Sequence, residues 1–286
     1  MNQALHHDLK RQRFWRHFAV HALSAIGLIA VFAGLYDVFF PDVAGGVGTW
    51  LTIATVMLAL IYAAWRSWPR PIEEQYETPN VKIRLVRGNI LDQDADHLVI
   101  GMQTTFDTEP PRIVERTSLQ AQFVEKIYGG DTRRLDANLD QALSGATPIG
   151  TITKPGKTKV YEVGTVAVLD HAARRIFCVA YSEMDKKNVA RSSIENVWRG
   201  LDQLWREVTD HANGGTVAVP VIGGGLARLS QILPAQDSIR FIILSFMFAC
   251  RRERVCEELK IVVQPAQYDR LDRLEIQAFL MSLRAS

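Results

Sequence analysis

The sequence predicts an α/β domain, a mixed sheet between two helical layers, carried behind an N-terminal hairpin of two membrane-spanning helices. Three observations carry this reading. Two apolar runs, residues 18–40 and 47–65, follow one another near the N-terminus. From Val81 onward, β-branched runs alternate with amphipathic stretches. Late in the chain a strand-like run, Val217 to Ile222, breaks into Gly223-Gly224-Gly225 before an apolar helical stretch that starts near Pro234.

The spans come first. Residues 18–40 are apolar except for His21, Ser24, Tyr36 and Asp37, and residues 47–65 contain no charge. Either run is long enough to cross most or all of a hydrocarbon core of about 30 Å at about 1.5 Å per residue. A cleaved signal peptide fits poorly, because the first apolar core is too long and a second run follows it. Lys10, Arg11, Arg13 and Arg16 precede the first span, Arg66 and Arg70 follow the second, and the short link carries Asp42 and no basic residue. The bias of Lys and Arg toward the cytoplasm places both termini in the cytoplasm, with only the link outside. Trp15, Trp50, Trp65 and Trp68 flank the spans as interfacial aromatics. Ala30 and Gly34 form a small-xxx-small pair suited to close helix contact. The resulting organisation is a basic cytoplasmic segment, 1–17; the hairpin, 18–66; a linker, 67–80; and the α/β domain, 81–286.

The linker reading rests on Pro69, Pro71 and Pro79 interspersed with Glu73, Glu74 and Glu77, a composition that favours an extended spacer. Beyond it, 81–87 alternates apolar and basic residues, and 97–102 is a continuous apolar run of the buried-strand type. Residues 119–128 and 132–143 read as helices with Ser118 and Asp131 as N-caps. Strand-like runs follow at 151–154, 160–169 and 175–180. Residues 189–211 carry a helical apolar face through Ile194, Val197, Leu201, Leu204, Trp205 and Val208. Strands at 216–221 and 259–263, and helices at 234–250 and 267–283, complete the domain. The run 234–250 is apolar but short, and it contains Gln236, Asp237 and Arg240, so it is a core helix rather than a third span.

Composition narrows the partners. Lys and Arg total 33 against 31 Asp and Glu, a net charge of +2 that gives no electrostatic footprint for nucleic acid. Cys178, Cys250 and Cys256 lack metal spacing, form no even set, and sit in apolar or helical runs, which reads as buried, reduced thiols. No Cys/His or Ser/His/Asp constellation stands out, and His171 and His211 lie alone near element ends.

The glycine run has two physical readings: a tight strand-to-helix turn, or a phosphate cradle in which glycines bring backbone N–H groups close to anionic oxygens. The lysine-bearing loop of P-loop nucleotide-binding proteins is absent. Two further segments bear on the choice: the turn Gly88-Asn89-Ile90-Leu91 with the buried strand after it, and the loop Gln103-Thr104-Thr105-Phe106-Asp107 with the later Leu119-Gln120-Ala121-Gln122-Phe123.

Taken together, these segments resemble the macro domain, an ADP-ribose-binding fold, and in particular the macro domain of the ThsA proteins of Thoeris antiphage defence. One branch of that family places the domain behind two transmembrane helices, the layout read here. The resemblance covers about residues 80–265 in fold. It implies a macro-like three-layer α/β/α domain and a set of ligand-binding residues. Asn89 stands where the family carries the acidic residue that accepts from the adenine amino group, a departure that removes charge, and the N–H groups of Ile90 and Leu91 would lie near the base. Gly223, Gly224, Gly225, Leu226 and Ala227 would wrap the diphosphate, with Arg228 adding charge. Gln103, Thr104, Thr105 and Asp107 stand where other macro domains carry an asparagine-rich loop on the distal ribose, and Tyr181 and Ser182 would line the same mouth.

The implied function is that of a signal-gated membrane effector. The domain would sense an ADP-ribose conjugate, histidine-ADP-ribose among the candidates, made from NAD by a partner TIR-domain protein. Homo-oligomers would then form and disrupt the inner membrane to stop growth. No catalytic residue, metal or resident cofactor is implied; the small molecule is a ligand. The alternative is a membrane-tethered ADP-ribosyl hydrolase, which the missing asparagines disfavour.

Overall fold

The computed structural model describes residues 12–39, 48–66, 71–110, 113–222, 229 and 233–285. The chain divides into two compact units, 1–70 and 71–286. The basic residues Lys10 and Arg11, the hairpin link and the glycine run Gly223–Arg228 lie outside the described residues.

The first unit holds two helices, α1 (Gln12–Phe39) and α2 (Gly48–Arg66). Ala22, Ala59 and Ala63 are buried, and His21 meets Tyr62 edge-on with ring centroids 6.4 Å apart. Small side chains let backbones approach, so alanines form this seam. The expected contact through Gly34 is not made: a Cβ there would meet nothing within 4 Å. Leu23, Leu28, Val31, Phe32, Met57, Leu58 and Ile61 are exposed on the outside. Among the described residues no helix is long and apolar enough to cross a membrane. The runs read from the sequence, 18–40 and 47–65, each include residues outside that set.

The second unit begins with a strand where a spacer was expected. β1 (Ile72–Glu77) pairs antiparallel with β2 (Asn80–Arg87), from Ile72 opposite Leu85 to Glu77 opposite Asn80. The prolines at 71 and 79 bracket this strand rather than preventing it. Ile72, Glu74 and Tyr76 alternate with more exposed residues and turn inward, which is the period-two signature that the acidic composition masked.

The remaining strands are β3 (His97–Gln103), β4 (Gly150–Thr151), β5 (Lys159–Val160), β6 (Val166–His171), β7 (Arg174–Met184), β8 (Ala190–Arg191), β9 (Thr216–Pro220) and β10 (Glu258–Val263). The main sheet runs β1-β2-β10-β9-β3-β7-β6, with β8 added to the end of β7. Its five central strands are parallel, and β1 and β6 are antiparallel edges. The mixed sheet is therefore as predicted. The expected single strand 160–169 is split: Gly164 takes φ +99° and its N–H bonds to Ala180 O at 2.7 Å, which turns the chain between β5 and β6.

Helices cover both faces. On one side lie α3 (Leu119–Tyr128) and α4 (Thr132–Ala142), capped by Ser118 and Asp131 as predicted. Phe123, Tyr128, Leu135 and Leu139 pack there on Leu98, Ile100, Met102 and Cys178. On the other side lie α5 (Ile194–His211), capped by Ser193, and α6 (Ala235–Arg252). Leu204, Trp205, Ile242 and Phe246 pack there on Val99, Phe177, Val219 and Ile261. Alternate residues of β3 thus serve opposite cores, as strand geometry requires. A short helix α7 (Pro265–Tyr268) and the C-terminal helix α8 (Arg273–Ser282) end the fold, interrupting the expected run 267–283 where Asp272 caps α8.

Candidate functional site

The topology fixes where a ligand cleft opens. The chain leaving β3 goes to α3 and α4 on one face, and the chain leaving β9 goes to α6 on the other. Neighbouring parallel strands whose connections diverge leave a crevice beyond their C-terminal ends. β3 and β9 pair at His97 with Val217 and at Leu98 with Ala218; β9 ends at Pro220 while β3 continues to Gln103. The loop 103–109 lies at one lip. Ile222, after β9, and Leu229 are both buried in the α6-side core.

The β3 lip is tightly built. Thr104 N donates to Ser182 O at 2.8 Å, and Thr104 O accepts from Tyr161 N at 2.9 Å, so the end of β7 and the residue after β5 hold this loop. The Gln103 amide donates to Asp107 O at 3.0 Å, and its Oε1 accepts from Gln120 Nε2 at 3.0 Å; Gln120 also donates to Gly101 O at 2.7 Å. Phe106 sits at φ 51°, fully buried edge-on to Tyr161. Gln103, Thr104, Thr105, Asp107 and Ser182 are thus brought together, all of them buried.

Asp107 is held by protein partners. Its carboxylate accepts from Lys154 Nζ at 2.7 Å, from Lys157 N at 2.7 Å and from the Thr105 hydroxyl. Lys154 and Asp107 side chains are 0% and 1% exposed. The pair ties the β4–β5 hairpin to the β3 loop. Gly156 at the hairpin tip has φ +90°, and a Cβ there would come within 2.4 Å of Asp107 Oδ1. Asp107 and Thr105, read from the sequence as lying near the ligand's ribose or its substituent, bond to each other, and Asp107 also bonds to Lys154 and the Lys157 amide of the hairpin.

The turn after β2 is also internally satisfied. Asn89 caps the short 3-10 turn Ile90–Asp92, its Oδ1 accepting from Leu91 N at 3.0 Å while its Nδ2 donates to Gln122 Oε1 at 2.8 Å. The Leu91 N–H, expected near the base, is therefore occupied. Asn89 behaves as the Asx turn former that its type favours. Ile90 and Leu91 are buried against the α3 side of the sheet.

Tyr181 is the extra residue of a bulge, since Met102 is opposite Ala180 and Gln103 opposite Ser182, and it packs against the α5-side core. Ser182 is buried, its hydroxyl 3.4 Å from Met102 O. The Tyr181 ring covers Gly101, where a Cβ would lie 2.3 Å from Tyr181 Cε1, and burial pushes its phenol up to about 12. Sequence reasoning missed Lys154 and Gly156, whose partner Asp107 lies far off in the chain; Lys154-Pro155-Gly156-Lys157 signals a turn and nothing more. Gly223, Gly224, Gly225, Leu226, Ala227 and Arg228 remain outside the described residues.

A separate open groove of about 1070 Å³ runs along the β6 edge beside α5, lined by Val166, Trp198, Asp202, Gln203 and Glu207 among others. Its acids are largely spent on neighbours, Asp170 on Arg175, Asp202 on Arg206 and Glu207 on His211. Its lining comes from β6, α5 and their neighbours and includes none of the residues at the C-terminal ends of β3 and β9.

Residues 83–264 match the family model described as Thoeris protein ThsA, Macro domain. Thoeris protein ThsA of Bacillus amyloliquefaciens (strain Y2) is 20% identical over 204 residues, covering 69% of this chain and 67% of that protein. Among solved structures, a mutant of the Oceanobacillus iheyensis macrodomain with ADPR superposes at a TM-score of 0.51 and 11% identity, covering 75% of this chain and 100% of that chain. The same macrodomain with ADP also gives a TM-score of 0.51 at 11% identity, covering 75% and 98%.

Proposed function

Because the chain belongs to the Thoeris ThsA macro-domain family, we propose that its macro domain senses an ADP-ribose-type nucleotide in antiphage defence. The observation that carries this is the divergence of the connections after the neighbouring parallel strands β3 and β9, where such sheets bind ligands, with three glycines following β9 in sequence. Backbone amides in such a loop suit a diphosphate. The conjugate would be made by a partner TIR-domain protein, with histidine-ADP-ribose among the candidates.

Binding is favoured over hydrolysis. The carboxylate of the β3 loop is held by Lys154, the Lys157 amide and Thr105, so it is not available to activate water. The ligand would be held rather than turned over.

The output would be membrane disruption by assembled hairpins. Support comes from the apolar runs 18–40 and 47–65, the alanine seam between α1 and α2, and the apolar side chains exposed around it. Ligand binding would have to favour the assembled state by about 5.5 kcal/mol to swing it from 1:99 to 99:1. Liposomes of bacterial inner-membrane lipid, loaded with dye and carrying the full chain, test the proposal. Leakage that rises with ADP-ribose conjugate supports it; equal leakage with and without ligand contradicts it.

A further inference from the structure

We propose that the groove along the open edge of β6 is a docking site for an extended, basic segment of a partner protein, which adds to the sheet as a further strand. The site is separate from the crevice after β3 and β9, and the inference does not depend on what that crevice holds.

The edge is the first observation. β6 pairs with β7 on one side, from Val166 opposite Val179 to His171 opposite Arg174, and among the described residues no strand pairs with its other side. Ala180 N donates to Thr165 O at 2.9 Å, so the Thr165 carbonyl points to β7. Antiparallel bonding alternates along a strand. Residues 167, 169 and 171 therefore bond to β7, and Val166, Val168 and Asp170 direct their N–H and C=O groups away from it. Those three residues line the groove.

Unpaired strand edges are templates for another chain, and proteins blunt them with proline, charge or bulges. The opposite edge, β1, is blunted in this way: Pro71 and Pro79 bracket it, and Glu73 and Glu77 lie on it. β6 contains no proline, lysine or arginine.

The walls select a lone extended segment over the edge of a second folded sheet. Trp198, Asp202, Gln203 and Glu207 of α5 line one side, and Ala142, Gly145 and Ala146, at the end of α4, line the other. Val166 and Val168 pack toward the α5-side core, and Ala142 and Ala146 pack toward the α3-side core, so the walls belong to the two helical layers. A strand added at β6 is covered on both faces by this chain's own helices and cannot bring a helical layer with it.

Charge selects the chemistry. The lining holds four acids, Glu162, Asp170, Asp202 and Glu207, against two arginines, Arg175 and Arg199, counting His211 as neutral. The pairs of Asp170 with Arg175, Asp202 with Arg206 and Glu207 with His211 are at the surface. Such pairs contribute little, so an incoming arginine can share or replace them. The Trp198 ring, 37% exposed, adds an aromatic surface suited to a cation. Side chains alternate along an added strand, so basic residues toward α5 would alternate with apolar ones toward the small residues of the α4 wall.

Fluorescence anisotropy on the full chain in mild detergent tests the site, with a labelled peptide alternating Arg and Val as probe. It should bind, and a counterpart alternating Glu and Val should bind about ten-fold more weakly or not at all. Methylating one alternate set of the basic peptide's amides should abolish binding and methylating the other set should not, because only one set faces β6. Val168→Pro removes an outward N–H without breaking a bond to β7 and should weaken binding about ten-fold. Asp202→Asn with Glu207→Gln should bring the basic and acidic peptides to within about two-fold of each other. The proposal is overturned by no saturable binding of the basic peptide, by equal behaviour of the two methylated forms, by unchanged binding to folded Val168→Pro, or by a charge preference that survives the double substitution. Self-association of wild type that Val168→Pro abolishes, read by sedimentation, also overturns it, because the edge then belongs to a second copy. The methylated peptides are read on wild type and decide strand addition even if Val168→Pro does not fold.

Discussion

The carboxylate of Asp107 and the ammonium of Lys154 meet at 2.7 Å with neither side chain more than 1% exposed. One residue belongs to the loop after β3 and the other to the β4–β5 hairpin, 47 positions apart. Removing one partner of such a pair leaves a buried charge unmatched, a loss of about 3–5 kcal/mol. Lys154→Met is expected to lower the thermal midpoint sharply. Lys154→Met combined with Asp107→Asn, which leaves no charge, is expected to recover much of the loss. Equal midpoints for the single and double variants would remove the pair from the account.

Gly101 is needed for the Tyr181 ring. A Cβ at 101 would lie 2.3 Å from Cε1 and 3.1 Å from Cδ1 of that ring. Gly101→Ala should cost about 1–3 kcal/mol by overpacking. In the Tyr181→Ala background the same change should cost far less, and denaturant unfolding of the four proteins measures the coupling.

Asn89 is predicted to matter twice. Its Oδ1 caps the turn through Leu91 N. Asn89→Ala should lose about 1 kcal/mol of stability with the cap. Asn89→Asp keeps that acceptor, restores the charge of the family position and gives up the bond to Gln122. Calorimetry should then show tighter binding of ADP-ribose than to wild type.

Alkaline pH should destabilise the fold. Burial pushes the Cys178 and Cys250 thiols up to about 12, raises Cys256 well above its ordinary value, and holds Tyr181 at about 12. Unfolded thiols ionise near 9.0, so above that pH the unfolded chain has released protons that the native fold retains. Stability is then complete below about pH 9 and falls as pH rises toward 12. Thermal melts at pH 7.5 and pH 10.5 should show the drop, and native thiols should resist alkylation at pH 8.

Much of the domain was legible because local physics agrees with the tertiary structure there. The continuous apolar run at 97–102 is a central parallel strand, buried on both faces. Ser118 and Asp131 cap helices where their side chains suggest. β1 was hidden because Glu73, Glu74 and Glu77 read as a charged spacer; in the fold Lys82 and Arg84 pair with Glu73, and Gln277 and Arg284 hold Glu74. At the site, residue types were legible and partners were not. Thr105 and Asp107 are polar and buried in the loop after β3, and a lysine 47 positions away claims the carboxylate. Tyr181 and Ser182 are adjacent in sequence, but the bulge opposite Met102 and Gln103 breaks the period of two between them, and nothing in their residue types signals it.

The central claim is that the crevice between β3 and β9 holds an ADP-ribose-type ligand without cleaving it. Titration calorimetry of the full chain with ADP-ribose and histidine-ADP-ribose, followed by mass spectrometry of the recovered ligand, tests it most directly. The account predicts saturable binding at one site per chain, ligand recovered intact, and loss of binding in Gly224→Val with an unchanged melting temperature. No saturable heat with either compound, or release of ADP-ribose from the conjugate, would contradict it.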